Sequence, residues 1–442
     1  MAALTIGACS ATDTDSHSPT PAPVSEQSAP TTSSTVAATP QARIRVGPLE
    51  PVTITWAKGV DPGAARGQSF NVPSGWTAEV WANIPGARLA AWSPDGRLVV
   101  SQGDQGSIAV VTPSAAGGPA LVASLAAGLA SPQGLGFTRS GGHDVLVVGE
   151  SNRLVAWTYS DRSLSGPRVI VDALPTTGHG AKGIAVDGDT VYFSLGSSSN
   201  RDPVDRTADP VRAVIVRIGL DGSGYDVVAT GVRNGFGLAF APDGTLFTAV
   251  NEADNQPYPF HDATGRYGQV VQEFVNENPV DQVTRVTDGV DLGWPYCMPD
   301  GTASADLVGV GYFADPLLNA DGAALDCSTL PRVQLGLPAH SAPLGLAFTT
   351  ATSLQAVLGQ GALIAAHGSW NRTPPRPPYV AFAPWDSDAG ALGASEPLVT
   401  GFQNAEGSRW GRAVAALPGP DGALYVTDDV AGLVYRIAPP SK

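Results

Sequence analysis

Gly237-Leu238-Ala239-Phe240-Ala241-Pro242-Asp243-Gly244-Thr245-Leu246-Phe247 reads as two short apolar runs turned back on each other by Asp-Gly. Asp-Gly tolerates the positive φ that a tight turn between antiparallel strands demands, so the stretch predicts a β-hairpin. Working outward, the same unit recurs before and after it. Upstream lie Ala90-Ala91-Trp92 with Asp95-Gly96 and Leu98-Val99-Val100, then Gly134-Leu135-Gly136-Phe137 with Val145-Leu146-Val147-Val148, then Gly183-Ile184-Ala185-Val186 with Val191-Tyr192-Phe193. Downstream lie Gly345-Leu346-Ala347-Phe348 with Ala362-Leu363-Ile364, and Ala413-Val414-Ala415 with Asp421-Gly422 and Leu424-Tyr425-Val426.

Several copies are followed by a further strand, such as Ile108-Ala109-Val110-Val111 and Leu433-Val434-Tyr435-Arg436-Ile437. The first four copies recur at about 45 to 55 residues, the interval of propeller blades. Six copies predict an all-β, six-bladed propeller of four-stranded antiparallel blades over residues 44–442. A row of β-sandwiches would need linkers, and none follows about residue 70. The interval between the fourth and fifth copies is roughly doubled, which predicts a long insertion there, and long loops on a rigid scaffold commonly carry function. The segment from Ile44 to Ile84, with Thr77-Ala78-Glu79-Val80-Trp81, is a candidate for the strand that closes the last blade.

In a propeller, residues just ahead of each innermost strand converge on one mouth of the central channel. Those positions are Arg88, Gln133, His179, Arg233 with Asn234, His340, and Arg409 with Arg412. The chain as a whole carries a formal charge of -15, which argues against nucleic acid as a partner. A cationic ring in an acidic chain therefore predicts a local site for a polar anion. His179, in Thr176-Thr177-Gly178-His179-Gly180, is a candidate general base, although Gly-His-Gly alone also suits an ordinary turn.

Val232-Arg233-Asn234, Val250-Asn251-Glu252, Gly293-Trp294-Pro295-Tyr296-Cys297, Ala339-His340-Ser341-Ala342-Pro343-Leu344-Gly345-Leu346-Ala347-Phe348 and His367-Gly368-Ser369-Trp370-Asn371-Arg372 stand in this order with Gly178-His179-Gly180 ahead of them. From about residue 70 onward the chain resembles the sorbosone dehydrogenase and soluble glucose dehydrogenase group of quinoprotein propellers. The resemblance implies pyrroloquinoline quinone over the channel mouth, with Ca²⁺ at its quinone edge. It implies His179 as the proton-abstracting base and Arg233 as the cation beside the reactive carbonyl. Gln133, Asn234, Arg372, Arg409 and Arg412 would hold the cofactor, and main-chain carbonyls of the segment Glu252, Ala253, Asp254 would hold the calcium. Gly178 stands where some relatives carry an acidic residue, which leaves the orientation of the base open. The implied reaction oxidises an aldose at its anomeric carbon to the lactone and passes electrons to an external acceptor, a quinone or a cytochrome.

Two other readings suit the same residues. A metal-dependent lactonase would use Glu252 and Asp254, but a ring of arginines repels its ion. A non-catalytic surface propeller would bind glycan or peptide, and Trp294, Tyr296 and Trp370 are candidates for stacking on sugar rings.

Cys9, in Ile6-Gly7-Ala8-Cys9 ahead of a Ser/Thr/Pro-rich tract, resembles a lipoprotein cysteine with a flexible tether over residues 1–43. This predicts an exported protein touching a membrane through that anchor alone. Cys297 and Cys327 then remain as an even pair in an oxidising compartment, either as two free thiols or as a disulfide. A bridge closing a loop of about 30 residues would contribute on the order of 3 kcal/mol.

Overall fold

The chain reverses where its turn chemistry requires. Gly244 has φ +82° and Asp243 Oδ1 accepts the Thr245 amide at 2.9 Å, so strands Gly235–Phe240 and Leu246–Val250 pair antiparallel. Gly96 and Gly422 take the same left-handed conformation, φ +77° and +83°, in the first and last copies. Only glycine adopts this region without a Cβ penalty. The computed structural model describes residues 46–114, 119–302 and 304–440; Cys9 and the tether over 1–43 lie outside the described residues. Among the described residues, no helix is long and apolar enough to cross a membrane.

Six blades follow in sequence. Their innermost strands are Ala87–Trp92, Leu135–Ser140, Ile184–Asp187, Gly235–Phe240, Pro343–Phe348 and Ala413–Pro418. Each innermost strand contacts the next, and the sixth contacts the first. The ring is closed by Thr77–Asn83, which pairs antiparallel with Leu433–Ala438 as the fourth strand of blade six. The expected closing segment therefore does its work through its Thr77-to-Trp81 portion.

Two expectations change in detail. Blades one and two are plain four-stranded antiparallel sheets, but the others carry a short extra strand: Val290–Asp291 runs parallel to Asp226–Thr230 in blade three, and Thr55–Trp56 parallel to Thr77–Asn83 in blade six. The insertion expected between copies four and five lies inside blade four. Its third strand, Asp281–Val286, and its fourth, Val333–Leu337, fall within the long interval. Residues 251–280 and 287–332 are thus two excursions from one blade, invisible to a search keyed on the inner hairpin.

Both faces of every blade are covered, which explains the unbroken apolar runs. Successive side chains of a strand point to opposite faces. Val99 packs with Leu146 and Val148 of blade two, whereas its neighbours Leu98 and Val100 pack with Trp81 and Val434 of blade six. Val145 and Val147 in turn face Ile184 and Phe193 of blade three. A buried apolar cluster fills each of the six junctions between blades.

Cys297 and Cys327 form a disulfide across 30 residues of the second excursion. Asn319 ties the same loop internally, its Nδ2 donating to the Leu325 carbonyl at 2.7 Å. Replacing both cysteines with serine is expected to lower unfolding free energy by about 3 kcal/mol, through the entropy regained by the unfolded loop. Denaturant melts of the oxidised protein and the double variant measure it, and an unchanged midpoint would contradict this account.

Candidate active site at the channel mouth

An innermost strand begins, and the strand paired with it ends, at the same mouth of the channel, because the two run antiparallel. Loops at both places surround a cavity of about 280 Å³ fed by blades three to six. His179, Arg233, Asn234, Glu252, Asp254 and Arg412 line it, together with His340, His367 and Trp370. The volume approaches the lower end of the roughly 300–1,000 Å³ typical of small-molecule sites.

His179 sits on a loop held from several directions. Gly178 has φ +64°, and a Cβ there would lie 2.3 Å from the Ser198 carbonyl oxygen, so the loop packs where only glycine fits. The buried Lys182 ammonium donates to the Pro175 and Gly180 carbonyls on either side of the histidine. Arg212 donates to the Thr177 carbonyl at 2.6 Å and to that of Ser197 at 3.1 Å. The His179 ring rests against Ser197, Nδ1 to Oγ 2.8 Å. Burial, reinforced by the Arg233 guanidinium, pushes its pKa down to about 4, so the ring is neutral at physiological pH.

Arg233 is 4% exposed and each of its three guanidinium nitrogens has a protein partner. Nε donates to the Asn200 carbonyl at 3.2 Å, Nη2 to Asn200 Oδ1 at 3.0 Å, and Nη1 to the Asn251 carbonyl at 3.0 Å. Asp254 stands 3.5 Å from Nη2 as counter-charge. Asn200 is the hub of this corner: it also donates to the Asp254 carbonyl and accepts from the Asp254 amide and from the indole of Trp294. Trp294 is therefore fully buried bracing and cannot stack on a ligand, whereas Trp370 stands 72% exposed at the cavity rim. Tyr296 is engaged beneath the Arg206 guanidinium.

The side chains of the segment 252–254 are engaged within the protein, so calcium ligands there would be its main-chain carbonyls, as the resemblance implies. Glu252 is buried and its pKa is pushed up to about 8, chiefly by desolvation, which makes it a neutral acid at pH 7. Ala253 is packed among Phe274, Trp294 and Phe313. Asp254 faces Arg233 and, at 3.5 Å, His340 Nδ1. Both oxygens of Asp281 accept backbone amides, from Glu252 and Ala342, each at 2.8 Å. Calcium takes roughly six to eight oxygen ligands. Among the described residues, no group of three or more His, Cys, Asp or Glu is placed to hold a metal ion. Glu252 Oε2 and Gln282 Oε1 are buried side-chain oxygens without a hydrogen-bond partner.

The other expected cofactor ligands divide. Arg412 lines the cavity, and its Nε and Nη2 are spent on the His367 and Gly368 carbonyls at 2.8 and 3.0 Å. Burial beside Arg409 lowers its pKa to about 10, so it stays charged. Gln133 does not reach the cavity wall. It accepts from Arg88 Nε at 3.1 Å, and Arg88 binds Asp429 at 2.7 Å, which in turn holds His367 Nε2 at 2.9 Å. Although buried, Asp429 is held down to about 2 by His367 and Arg88. Arg409 turns to the Ser369 and Arg376 carbonyls, and Arg372 binds Glu277 at 2.8 Å and the Asn276 and Pro374 carbonyls. Neither lines the cavity.

Ser197, Asn200 and Asp429 escape a reading that lists only residues ahead of the innermost strands. A signal exists: Ser197 follows strand Thr190–Leu195 by two residues, His367 follows Gly361–Ala366, and Asp429 follows Leu424–Asp428. Positions just after each second strand return to the same mouth.

The TrAA12-like family model matches residues 70–439. By structure, the chain is similar to the pyranose dehydrogenase PQQ domain of Coprinopsis cinerea in its holo form, with TM-score 0.71, 19% identity, and coverage of 87% of this chain and 100% of that one. A carbohydrate-active enzyme of family AA12 from Trichoderma reesei, in its calcium structure, gives TM-score 0.69 and 20% identity over 84% of this chain and 96% of that one. The PQQ-bound aldose sugar dehydrogenase of Streptomyces coelicolor gives TM-score 0.52 and 18% identity over 83% and 99%. By sequence, an uncharacterised protein of Borreliella burgdorferi is 26% identical over 227 residues, 51% of this chain and 52% of that one, so the match spans about half the length of that relative.

The buried acids make stability depend on pH in a definite sense. Burial raises Glu252 to about 8 and Asp428 to about 7, so the folded chain holds protons that the unfolded chain has released. Stability from these groups is complete below the ordinary carboxylate range and is lost as pH rises through 7 to 8. The depressed His179 acts oppositely, but only below about pH 6.5, its unfolded pKa. Between pH 6.5 and 8 unfolding free energy is expected to fall by about 1–2 kcal/mol, and Glu252→Gln should flatten most of that slope in denaturant melts. A rise across the window would show that these acids are ionised when folded.

Proposed function

Because the chain belongs to the TrAA12-like family, we propose that it is a sugar dehydrogenase working with pyrroloquinoline quinone at the channel mouth. The observation that carries this reading is a neutral His179 and an Arg233 cation held at all three guanidinium nitrogens, both facing one small cavity. The fold shared with PQQ-containing sugar dehydrogenases supports it. The donor set suits a polyanion: Arg412 has its Nη1 without a protein partner among the described residues and can meet a carboxylate, and Asn234 adds an amide.

When bound, the quinone supplies the hydride acceptor. The protein does the rest. His179 takes the proton of the sugar hydroxyl as the C–H hydride leaves, and oxidation at an anomeric carbon yields the lactone. Arg233, already fixed by Asn200 and Asn251, places positive charge where negative charge grows without reorganising in the transition state. Trp370 offers the exposed ring face on which a pyranose can lie. Two electrons then pass to an external quinone or cytochrome. Side-chain oxygens for calcium do not converge at 252–254, and no step is assigned to that ion. The Cys297–Cys327 disulfide supports export, in keeping with a lipid anchor at Cys9.

The test is dye reduction by protein supplied with pyrroloquinoline quinone across a panel of aldoses. His179→Ala should lower turnover by about 10²–10⁴-fold, the usual share of a general base. In the native protein the acidic limb of kcat/KM should fall near pH 4, because the base stays unprotonated down to its depressed pKa. Arg412→Ala should weaken cofactor binding, read by fluorescence titration, by about tenfold or more. Failure of the native protein to bind the quinone would favour a glycan-binding surface propeller instead.

A further inference from the structure

Ser197 makes two short contacts through one hydroxyl group. Its Oγ lies 2.7 Å from the Ser199 carbonyl oxygen and 2.8 Å from His179 Nδ1. The Ser199 carbonyl has no proton, and two bare oxygens would repel at that distance, so the hydroxyl hydrogen must lie between Ser197 and Ser199. The contact with His179 then needs a second proton, which only Nδ1 can provide.

From this accounting we infer that Ser197 is the positioning residue that fixes His179 as its Nδ1–H tautomer and leaves the Nε2 lone pair facing the cavity. Nε2 has no protein partner among the described residues, and His179 lines the cavity wall. The serine is itself immobile. It is fully buried; its amide donates to the Arg233 carbonyl at 2.8 Å, and its carbonyl accepts from the His179 amide at 2.9 Å and from Arg212 at 3.1 Å. One residue thus joins the backbone of the cation to both the backbone and the ring of the base. Gly196 completes the fit: a Cβ there would lie 2.6 Å from His179 Cβ, so any larger residue would push the ring away from the hydroxyl.

A general base must present an unprotonated nitrogen to its substrate, and which nitrogen that is depends on the bond made by the other. A carboxylate in this place would fix the tautomer too, but would also raise the basicity of the ring. A hydroxyl already committed to a carbonyl fixes the tautomer while adding no charge, which suits a histidine kept neutral beside Arg233. The inference deepens the dehydrogenase reading and rests on it for its kinetic consequence, whereas the tautomer is a property of the protein alone.

The experiment uses the full chain labelled with ¹⁵N-histidine, without cofactor, at neutral pH, with His179→Ala to assign the resonance. In the native protein the two-bond correlation pattern should show His179 protonated at Nδ1 only. Ser197→Ala should give a mixture of tautomers, and Ser197→Thr, which keeps the hydroxyl, should restore the single form. In the loaded enzyme Ser197→Ala should lower kcat about 10- to 100-fold with KM changed less than about twofold, since a misprotonated base binds sugar but cannot take its proton. A native ring protonated at Nε2, or an unchanged Nδ1–H ring in Ser197→Ala, overturns the assignment. The native tautomer shifting as described in a protein that reduces no dye with any sugar leaves Ser197 in its place and overturns the dehydrogenase reading instead.

Discussion

Strand Thr77–Asn83 pairs with Leu433–Ala438 across almost the whole length of the propeller domain, from Thr77 opposite Ala438 to Asn83 opposite Leu433. A propeller left open would expose the faces of its first and last blades, each rich in valine and leucine. Here Trp81 and Val434 pack on Leu98 and Val100, and Val80 with Tyr435 joins the cluster shared with blade five. The channel mouth exists only because the circle is complete. Arg88 of blade one reaches Asp429 of blade six across that seam, and Thr427 Oγ1 donates to the Arg88 carbonyl, so the closure is also part of the site's scaffold.

Within that frame the site is built by removing freedom from charged groups before any ligand arrives. Arg233 and Arg212 are each held mainly by carbonyl oxygens, and Lys182 is wholly buried on two of them. Carbonyls satisfy cationic donors without neutralising them. Two fixed cations, Arg233 and Arg412, thereby face the cavity in a chain whose net charge is -15. Carboxylates are treated differently: Asp429 is spent on Arg88 and His367, Asp254 on Arg233 and His340, and Glu252 is neutralised by burial. The two excursions of blade four serve this arrangement, with the disulfide-bound one delivering Trp294 to Asn200.

The site shows where pattern reading works and where it stops. His179, Arg233, Asn234 and Arg412 were found from their place ahead of an innermost strand, because blade geometry maps that position onto the mouth. Arg372 and Arg409 satisfied the same reasoning or lay in a matching motif, yet they turn to Glu277 and to the Ser369 carbonyl, choices set by loop paths that sequence position does not encode. Gln133 is linked to the cavity wall only through Arg88 and Asp429, which holds His367. Ser197 and Asn200 were missed because Gly196-Ser197-Ser198-Ser199-Asn200 looks like any polar loop until strand Thr190–Leu195 brings it back beside His179.

From the sequence alone came the number of blades, the closing strand, a doubled interval after the fourth copy and the side of the ring on which the cations gather. Each of these depends on local periodicity and turn chemistry, which act between neighbours along the chain. Only the tertiary structure decided that the cavity belongs to blades three to six, that Glu252 and Asp281 are buried beside it, and which nitrogen of His179 is without a partner. Those outcomes depend on distances of about 3 Å between groups far apart in sequence, where a single hydroxyl or carbonyl decides where a proton sits.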